Sequence, residues 1–509
     1  NKLYKKELIK NCRLDETVKI NEDLLMNYQL FKLSQKSVYY DITPYSYMIR
    51  SSSATGANSL ITKREDSLRV LNQIKDAGII GAGGAGFPTH AKLTSEAEYI
   101  LMNGAECEPL LRVDQQLMAI YPDEIIKGFA EAGRLVNAKK AIIGIKSKHG
   151  EVIELLKERI KALQLDGYVE VGELPDVYPA GDEQVLVYQL TGRVVPETGI
   201  PIMVGCVVVN SETALNIYKA SQGIPVTEKY ITVTGDVPNR VTVKVPVGTP
   251  VIDVLKLSGI EDFTDYAVID GGPMMGPVKT DIGGFITKKN KGFVILKKSH
   301  FLIRKKSVTM EQARRVNKAT CEQCRMCTDM CPRYLLGHNM QPHKMMRVLN
   351  YKIDDLEGQK IAQLCCQCNM CELFACPAGL HPKMANLYFK EKLAEQKIKY
   401  KPEKTEFEPR SIRPYRLVPS KRLIARLGLR DFDLPAPMTD MEFSPAVIRI
   451  STRQHVGAPA APVVSVGQQV QAGQMIGQIP EGSLGAAIHT SISGTVSEVT
   501  ADYIEIRRN

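Results

Sequence analysis

Two runs of closely spaced cysteines constrain this chain more than any other feature. "CEQCRMCTDMCP" (321–332) and "CCQCNMCELFACP" (365–377) hold four and five of the 12 cysteines among 509 residues. The first run follows C-x2-C-x2-C-x3-C-P, a spacing in which three thiolates bind one iron–sulfur cluster and the cysteine before proline binds another. This pattern predicts a domain built around a pair of 4Fe-4S clusters.

The same rule predicts a crossed set of ligands. One cluster would take Cys321, Cys324, Cys327 and Cys376, and the other would take Cys365, Cys368, Cys371 and Cys331. The second run has one extra residue before its last cysteine, which a bulge in the loop could accommodate. Cys366 directly follows Cys365, so a register shifted by one residue remains an alternative. Cys12, Cys107 and Cys206 stand alone, and we expect them to be buried free thiols.

Zinc and disulfide bonds are the two alternatives for the clustered thiols. A structural zinc site uses two separated pairs of ligands and leaves the third cysteine of each run without a function. Disulfide frameworks are typical of small secreted domains, whereas this chain is long and shows no secretory signal. Both alternatives explain the spacing less well than iron–sulfur clusters do.

The length and composition are those of a multidomain globular protein, and we expect it in the cytoplasm because no membrane span or secretory signal is seen. The length predicts about three to five domains, and 44% apolar with 24% charged residues is ordinary for a globular protein. No apolar stretch approaches the ~20 residues of a membrane span. The net charge is +10, with basic clusters at 288–306 and 391–430 that we interpret as solvated surfaces. No nucleic-acid-binding motif is present, so we expect no nucleic-acid partner.

A glycine-rich stretch, "GIIGAGGAGFPTHAK" (78–92), contains a formal G-x-G-x-x-G match from Gly81 to Gly86. In a dinucleotide-binding fold this fingerprint follows a strand, but the preceding residues 66–77 have helical spacing. Pro88 also occupies a position at which, in a dinucleotide-binding fold, the helix after the fingerprint would already have begun. The glycines still let the backbone approach a flat or phosphorylated ligand, with a purely structural turn as the alternative.

The glycine stretch resembles the FMN loop of the NADH-oxidising flavin subunit of respiratory complex I, which is shared with the C subunit of the Rnf complex. Three further stretches follow in the order of that family: "MNGAECEP" (102–109), "YPAGDEQVLVYQLTGR" (178–193) and "VVVNSETAL" (207–215). Four ordered matches are more specific than any one of them. The resemblance implies an α/β domain that binds FMN and NADH.

The resemblance implies roles for individual residues. Those that would line FMN by backbone contact are Gly81, Gly83, Gly84, Ala85, Gly86 and Phe87, and Lys92 and Asn103 would reach its phosphate or ring edge. Glu106 and Glu108 would face the nicotinamide nucleotide as candidate catalytic residues. The residues that would complete the pocket are Asp182, Glu183, Asn210, Glu212 and Thr213. The chain departs from the complex I pattern at Ala82 and Asp182, where that family prefers arginine and glutamate. For each single acid, surface solvation or helix capping is the alternative.

Two further modules are expected on either side of the cysteine runs. Residues 229–260 read as two alternating strands and a short helix and resemble the soluble-ligand-binding β-grasp (SLBB) module of the same families. The valine- and glycine-rich tail resembles the barrel-sandwich fold of biotinyl and lipoyl carriers. Those carriers need a lysine on a hairpin, but the last lysine here is Lys421, so covalent lipoylation or biotinylation is excluded.

The predicted fold class is therefore α/β multidomain. The expected modules are an unassigned N-terminal extension (1–63), an FMN/NADH-binding α/β domain of the complex I flavin-subunit type (64–225), an SLBB-like β-grasp module (226–300), a helical ferredoxin-like domain with two clusters (301–400), a linker over the surface (401–445) and an unmodified barrel-sandwich hybrid domain (446–509).

The order of these modules separates the candidate relatives. In the Rnf complex, the C subunit has its barrel-sandwich at the N-terminus, whereas here it lies at the C-terminus. That order, with "GAECEPLLRVDQQL" (104–117) and the extra residue before Cys376, resembles the cobalamin reductases of propanediol-utilisation microcompartments over about 64–509. The resemblance implies an NADH-dependent oxidoreductase that passes electrons through FMN and two clusters to a corrinoid. It also implies a corrinoid adenosyltransferase and a microcompartment shell protein as candidate partners, in the cytoplasm or inside a microcompartment.

No D-x-H-x-x-G corrinoid-binding signature is present, so cobalt would be reached at the surface or through a partner. Two other functions therefore remain open. An Rnf C-like electron-input subunit would deliver NADH electrons to another redox partner or a membrane complex. A non-catalytic scaffold that only carries clusters would bind no flavin.

Overall fold

The glycine loop follows a helix, as its sequence context predicts. The computed structural model describes residues 58–279 and 281–509, so most of the predicted N-terminal extension, and Cys12, lie outside the described residues. Helix α1 (Asn58–Asp76) leads into the loop. Residues Leu71–Asn509 form one compact unit. Within the described ranges, every helix is too short or too polar to cross a membrane.

A parallel sheet forms the centre of the first module. Its strands lie in the order β3-β2-β1-β5: β1 (Tyr99–Asn103), β2 (Lys140–Lys146), β3 (Val169–Leu174) and β5 (Cys206–Asn210). Runs such as "AIIGI" are almost continuously apolar because such strands are buried on both faces. The accompanying helices are α2 (Thr89–Lys92), α3 (Val113–Ile120), α4 (Pro122–Leu135), α5 (Gly150–Ala162), α6 (Glu183–Thr191) and α7 (Ser211–Ser221).

Helices α4 and α7 pack closely against each other beside this sheet. Helix α4 begins with Pro122, whose fixed φ suits the first helical position, and has two acids in its first turn. At Gly128 an added Cβ would lie 2.1 Å from the carbonyl oxygen of Ala214 in α7. A side chain here would push the helices apart, so glycine sets their separation.

The β-grasp module contains the predicted pair of strands and short helix. Strands β6 (Glu228–Gly235) and β7 (Val241–Pro246) are antiparallel and precede α8 (Val251–Leu255). The sheet order is β12-β7-β6-β10-β8-β9, with β8 (Tyr266–Asp270), β9 (Val278–Lys279), β10 (Gly292–Lys297) and β12 (Met438–Thr439). Thr232 and Thr242 are buried, with hydroxyls 3.0 Å apart, because the segment around Ala436 covers this face.

The cysteine runs lie in a helical module. Its helices are α9 (Phe301–Lys306), α10 (Met310–Thr320), α11 (Met326–Asp329), α12 (Pro332–Leu335), α13 (Pro342–Tyr351), α14 (Leu356–Lys360) and α15 (Pro382–Glu395). The residue added before Cys376 is taken up by a π-helical turn, Met370–Ala375, rather than by a loop bulge. A π-turn spans one residue more than an α-turn, so the cysteine still reaches its position.

Residues 401–445 differ from the predicted surface linker. Strand β11 (Val418–Pro419) pairs with β4 (Val177–Tyr178) of the first module, and α16 (Ser420–Arg426) follows it. Leu423, Leu427 and Leu429 are fully buried. Apolar residues between the prolines and charges therefore fasten this segment to its neighbours.

The C-terminal module is a sandwich of two small sheets. One sheet has the order β13-β19-β18-β15 and the other β14-β16-β17. The strands are β13 (Val447–Ser451), β14 (Ala461–Pro462), β15 (Gln469–Val470), β16 (Met475–Gln478), β17 (Ile488–His489), β18 (Gly494–Val499) and β19 (Tyr503–Arg507). Short 3-10 turns elsewhere cover Pro201–Val204, Lys256–Ser258, Ile361–Leu364, Arg413–Tyr415 and Arg430–Phe432.

Candidate functional site

The predicted cluster cysteines surround two separate cavities. The outer cavity is lined by Cys321, Cys324, Cys327 and Cys376, and the inner cavity is lined by Cys331, Cys365, Cys368 and Cys371, with Cys366 beside them. The outer cavity takes three cysteines from the first run and Cys376 from the second, and the inner cavity takes four from the second run, Cys366 included, and Cys331 from the first. In the part of the chain that the structure describes, no group of His, Cys, Asp and Glu side chains is arranged around a point for a single metal ion.

The backbone repeats itself in the two cysteine runs. Gln323 and Arg325 have φ angles of 57° and 66°, and Gln367 and Asn369 have φ angles of 60° and 63°. These left-handed residues occupy the second and fourth positions after Cys321 and after Cys365, respectively. The repeat favours the register that begins at Cys365 over the one that begins at Cys366. The ligand assignment itself stays a prediction.

Each cavity contains a cysteine whose thiolate form is disfavoured by burial. Burial raises the pKa of the Cys327 thiol to about 12 and raises that of Cys371 well above its ordinary value. A ligand thiol must lose its proton, so the positive charge of iron has to stabilise the thiolates here. Among the isolated cysteines, Cys206 is a buried free thiol as expected, whereas Cys107 is free and half-buried.

The inner cavity is joined to the first module by direct hydrogen bonds. The Tyr178 hydroxyl donates to the carbonyl oxygen of Cys368 over 2.7 Å. Arg333, two residues after Cys331, makes two bonds of 2.5 and 2.8 Å to the Asp182 carboxylate. The outer cavity is more open, since Cys324 is exposed. The two cavities therefore differ in depth.

The glycine loop presents an open backbone. Gly83 and Gly86 both have φ of 74°, a conformation that favours glycine. An added Cβ on Gly84 would meet nothing within 4 Å, and the Phe87 side chain beside the loop is 40% exposed. A hydrogen bond connects the loop to α7, since the Ala82 amide donates to the Thr213 hydroxyl over 3.1 Å. This geometry leaves room for a flat or phosphorylated ligand.

Other predicted flavin-site residues meet at the carboxyl ends of the parallel strands. Asn103 and Asn210 end β1 and β5 and are directly in register, at the sheet edge where ligands of α/β folds usually bind. The Asn210 side chain donates to the Asn103 carbonyl over 3.2 Å and accepts from the Glu212 amide at the start of α7. Lys92 forms an ion pair of 3.1 Å with Glu183 at the start of α6.

Asp182 serves two modules at once. Its carboxylate caps α6 by accepting from the Gln184 and Val185 amides, and it also accepts from Arg333 of the cysteine module. Burial alone would raise the pKa of Asp182, but Arg333 and these amides hold it below its ordinary value. Asp182, which is shorter than the glutamate of the complex I pattern, therefore both caps α6 and forms an ion pair between two modules.

Glu106 lies in a buried network of charges. Its carboxylate accepts from the Asp114 amide over 2.5 Å, and the Lys291 ammonium lies 2.5 Å from the Asp114 carboxylate and 3.8 Å from that of Glu106. Burial, followed by the Asp114 charge, raises the pKa of Glu106 to about 7. Glu212 and Lys229 form a second buried pair at 2.5 Å, with each side chain 1% exposed.

Sequence reasoning missed Lys291, Asp114 and Lys229. The interpretation of the basic cluster 288–306 as a solvated surface is wrong for part of it, because Lys288 is 3% exposed and the Lys291 side chain 13%. A lysine is rarely buried without a partner, but the partners lie far away in the sequence, so no local pattern revealed them.

Glu108 is held by a loop of the β-grasp module. Its carboxylate accepts from the Met274 and Met275 amides, each over 2.9 Å. Burial raises its pKa in spite of these bonds. Asn369, in the second cysteine run, donates to the Met274 carbonyl over 2.6 Å. Glu108 therefore connects the first module to the inner cavity through residues 273–275, and its nicotinamide contact stays a prediction.

Three modules meet behind the glycine loop. The Val456 amide of the barrel-sandwich donates to the Gly86 carbonyl over 3.1 Å. The buried Lys288 ammonium of the β-grasp module donates to the carbonyls of Gly78 and Ala487, over 2.7 and 2.9 Å. The conformation of the loop thus depends on residues from three parts of the chain.

Family models match three of these modules. The Nuo51 FMN-binding domain matches residues 74–219, the 4Fe-4S dicluster domain matches 320–381, and the RnfC barrel sandwich hybrid domain matches 435–507. The predicted α/β multidomain fold and the predicted cofactors, FMN and two 4Fe-4S clusters, are thereby confirmed. NADH as electron donor agrees with the complex I type of flavin domain. The protein is an oxidoreductase of the flavin and iron–sulfur class.

Relatives extend the comparison to nearly nine tenths of the chain. The cobalamin reductase PduS of Citrobacter freundii is 40% identical over 87% of this chain and 97% of its own length, and PduS of Salmonella typhimurium is 40% identical over 89% and 100%. In Acetobacterium woodii, the C component of the Na(+)-translocating ferredoxin:NAD(+) oxidoreductase complex is 33% identical over 54% of this chain and 60% of its own. The chain belongs to the PduS cobalamin reductase family.

Proposed function

We propose that this chain is an NADH-dependent cobalamin reductase that delivers single electrons to a corrinoid. The observation that carries the proposal is the attachment of the inner cavity to the flavin module, through the bond from Tyr178 to Cys368. A redox relay needs its centres close together and shielded from water. Full-length relatives named as cobalamin reductases support the choice of acceptor.

The residues of the flavin site would act by holding and orienting. When bound, FMN supplies two-electron chemistry with NADH and one-electron chemistry with the clusters. The open backbone of Gly81, Gly83, Gly84, Ala85, Gly86 and Phe87 would cradle it, and Lys92 and Asn103 would contact its phosphate or edge. Glu106 would exchange a proton at its carboxylate near neutral pH, because burial raises its pKa to about 7.

The remaining site residues would fix this arrangement. Asn210, Glu212 and Thr213 connect the start of α7 to the strand ends and to the glycine loop. Asp182 and Glu183 start α6, where Asp182 also binds Arg333. The cysteines of the two cavities would hold one 4Fe-4S cluster each.

The acceptor and the cellular setting are part of the same proposal. Because the sequence carries no D-x-H-x-x-G signature, the corrinoid would be reduced at the surface or on a partner such as a corrinoid adenosyltransferase. We place the protein in the cytoplasm or within a bacterial microcompartment, where a shell protein would be a further partner.

Anaerobic stopped-flow spectroscopy tests this proposal. Reconstituted protein is mixed with NADH and then with hydroxocobalamin, while the flavin, cluster and corrin bands are followed. We expect flavin bleaching, cluster reduction and formation of cob(II)alamin at a catalytic rate. Reduced flavin and clusters with an unchanged corrin spectrum would instead identify an Rnf C-like electron-input module. Absence of flavin would refute the assignment of the glycine loop.

A further inference from the structure

We propose that Lys291, which belongs to the β-grasp module, is a positioning residue of the flavin site in the neighbouring module. It would hold Glu106 and Asp114 in place beneath the glycine loop. This inference rests on the proposed binding of FMN at that loop. It makes the flavin site a composite of two modules, although sequence comparison assigns FMN to residues 74–219 alone.

The side chain of Lys291 touches both the loop and the acids. A Cβ added to Gly83 would lie 2.9 Å from the Lys291 Cδ, so the aliphatic part of this side chain lies against the loop backbone. The ammonium then reaches the Asp114 carboxylate at 2.5 Å and the Glu106 carboxylate at 3.8 Å. One side chain therefore supports the loop and neutralises the acids next to it.

Asp114 extends this contact to the strand ends. One oxygen of its carboxylate binds Lys291, and the other accepts from the Ser211 hydroxyl over 2.6 Å and from the Asn210 side chain over 3.1 Å. Asn210 and Ser211 start α7, the helix that also holds Thr213 behind the glycine loop. The chain of contacts from Lys291 thus reaches both sides of the proposed flavin pocket.

Burial makes this network sensitive to the loss of one charge. The side chains of Glu106 and Asp114 are 4% and 3% exposed, so water screens them little. Asp114 raises the pKa of Glu106, and Lys291 lowers it. Without the ammonium, two buried carboxylates would repel each other, and Glu106 would keep its proton to a higher pH. The support under Gly83 would be lost as well.

Three variants of the full-length, cluster-loaded protein test the inference. Lys291→Met keeps the aliphatic contact and removes the charge, Lys291→Arg restores a charge, and Lys256→Met changes an exposed lysine of the same module. FMN affinity is measured by fluorescence titration from pH 6 to 9, and thermal unfolding is followed in parallel.

We expect Lys291→Met to weaken FMN binding by about 10- to 100-fold, the range for losing a hydrogen bond to a charged group. The pH midpoint of FMN binding should move upward, because Glu106 loses its proton at higher pH without the ammonium. Lys291→Arg should recover part of the affinity, and Lys256→Met should match the parent protein.

Several outcomes would overturn the inference. The inference fails if Lys291→Met binds FMN with the affinity and pH midpoint of the parent. It fails equally if Lys291→Met lowers the unfolding temperature but leaves the FMN affinity and the pH midpoint unchanged. If Lys291→Met does not fold, Asp114→Asn provides the second test. It should move the pH midpoint downward, because the Asp114 charge raises the pKa of Glu106, and an unmoved midpoint refutes the role. A parent protein that binds no FMN would refute the proposed function instead.

Discussion

The inner and outer cysteine cavities share a backbone design and differ in their surroundings. Both are formed by a three-cysteine run with left-handed residues at matching positions. The inner cavity is joined to the flavin module by Tyr178 and Arg333, and to the β-grasp module by Asn369. The outer cavity includes the exposed Cys324. Ligand spacing is therefore common to the two sites, whereas burial and hydrogen bonding are not.

Similar ligand sets can therefore serve different tasks. Solvent exposure and hydrogen bonds to sulfur are among the factors that set the potential of an iron–sulfur cluster. A shielded site next to the flavin module suits the exchange of electrons with it, and an exposed site suits exchange with a partner.

The largest expected effect comes from removing one ligand at a time. Cys368→Ser should abolish the inner cluster and Cys324→Ser the outer one, each with a loss of about half of the iron. Only Cys368→Ser should also stop NADH-driven reduction of the remaining cluster, because it removes the site beside the flavin. Iron analysis and anaerobic electron paramagnetic resonance measure both effects. Cys206→Ala is the control, and equal behaviour of the two serine variants would contradict the comparison.

Iron removal should separate the two cavities in time. An anaerobic chelator such as bathophenanthroline should extract about half of the iron rapidly from the exposed site and the rest slowly. In Cys324→Ser only the slow phase should remain, and in Cys368→Ser only the rapid one. The absorbance of the ferrous complex follows the release. A single phase in the parent protein would show that the cavities are equally accessible.

The ion pairs of the two sites should differ in their contribution to stability. Arg333→Gln leaves the buried Asp182 carboxylate without its partner, which should lower the free energy of unfolding by about 3 kcal/mol. Arg325→Gln, at the outer cavity, breaks an exposed pair with Asp329 and should change it by less than about 1 kcal/mol. Denaturant unfolding of the cluster-loaded protein measures both. Similar losses would contradict the difference in burial.

The smallest effect concerns hydrogen bonds to sulfur. Gln323→Ala removes a side-chain donor 3.3 Å from the Cys321 sulfur, and the outer cluster should become slightly harder to reduce, by less than about 1 kcal/mol. Gln367→Ala is the matched control, because at Cys365 the donor is the backbone amide, at 3.4 Å. Both substitutions place alanine at a position with left-handed backbone conformation. The backbone strain is therefore the same in the two variants and cancels when their potentials are compared. Redox titration measures the two potentials.

Local spacing explains what the sequence predicted well. The cysteine runs, the helix before the glycine loop and the paired strands of the β-grasp module are each specified within a few dozen residues. The Glu106 network is different, because Lys291 is 177 residues away from Asp114. Buried ion pairs between modules leave no periodic pattern, so Lys291 looked like part of a basic surface.

Segment 401–445 differs from the predicted surface linker for a related reason. Its prolines and charges are typical of a linker, but the apolar residues between them, such as Leu423 and Leu427, are buried. Their partners belong to modules far earlier in the chain, including β4, which pairs with β11. Composition describes a segment by itself and does not reveal which surfaces the rest of the fold offers to it.

The contacts behind the glycine loop have a consequence for how the protein is made. A chain leaves the ribosome from its N-terminus, so residues 78–86 emerge long before Val456 and Ala487, which complete their hydrogen bonds. The loop therefore acquires its final support only when nearly the whole chain has been synthesised. A nascent chain halted before residue 456 therefore lacks both of these contacts to the loop.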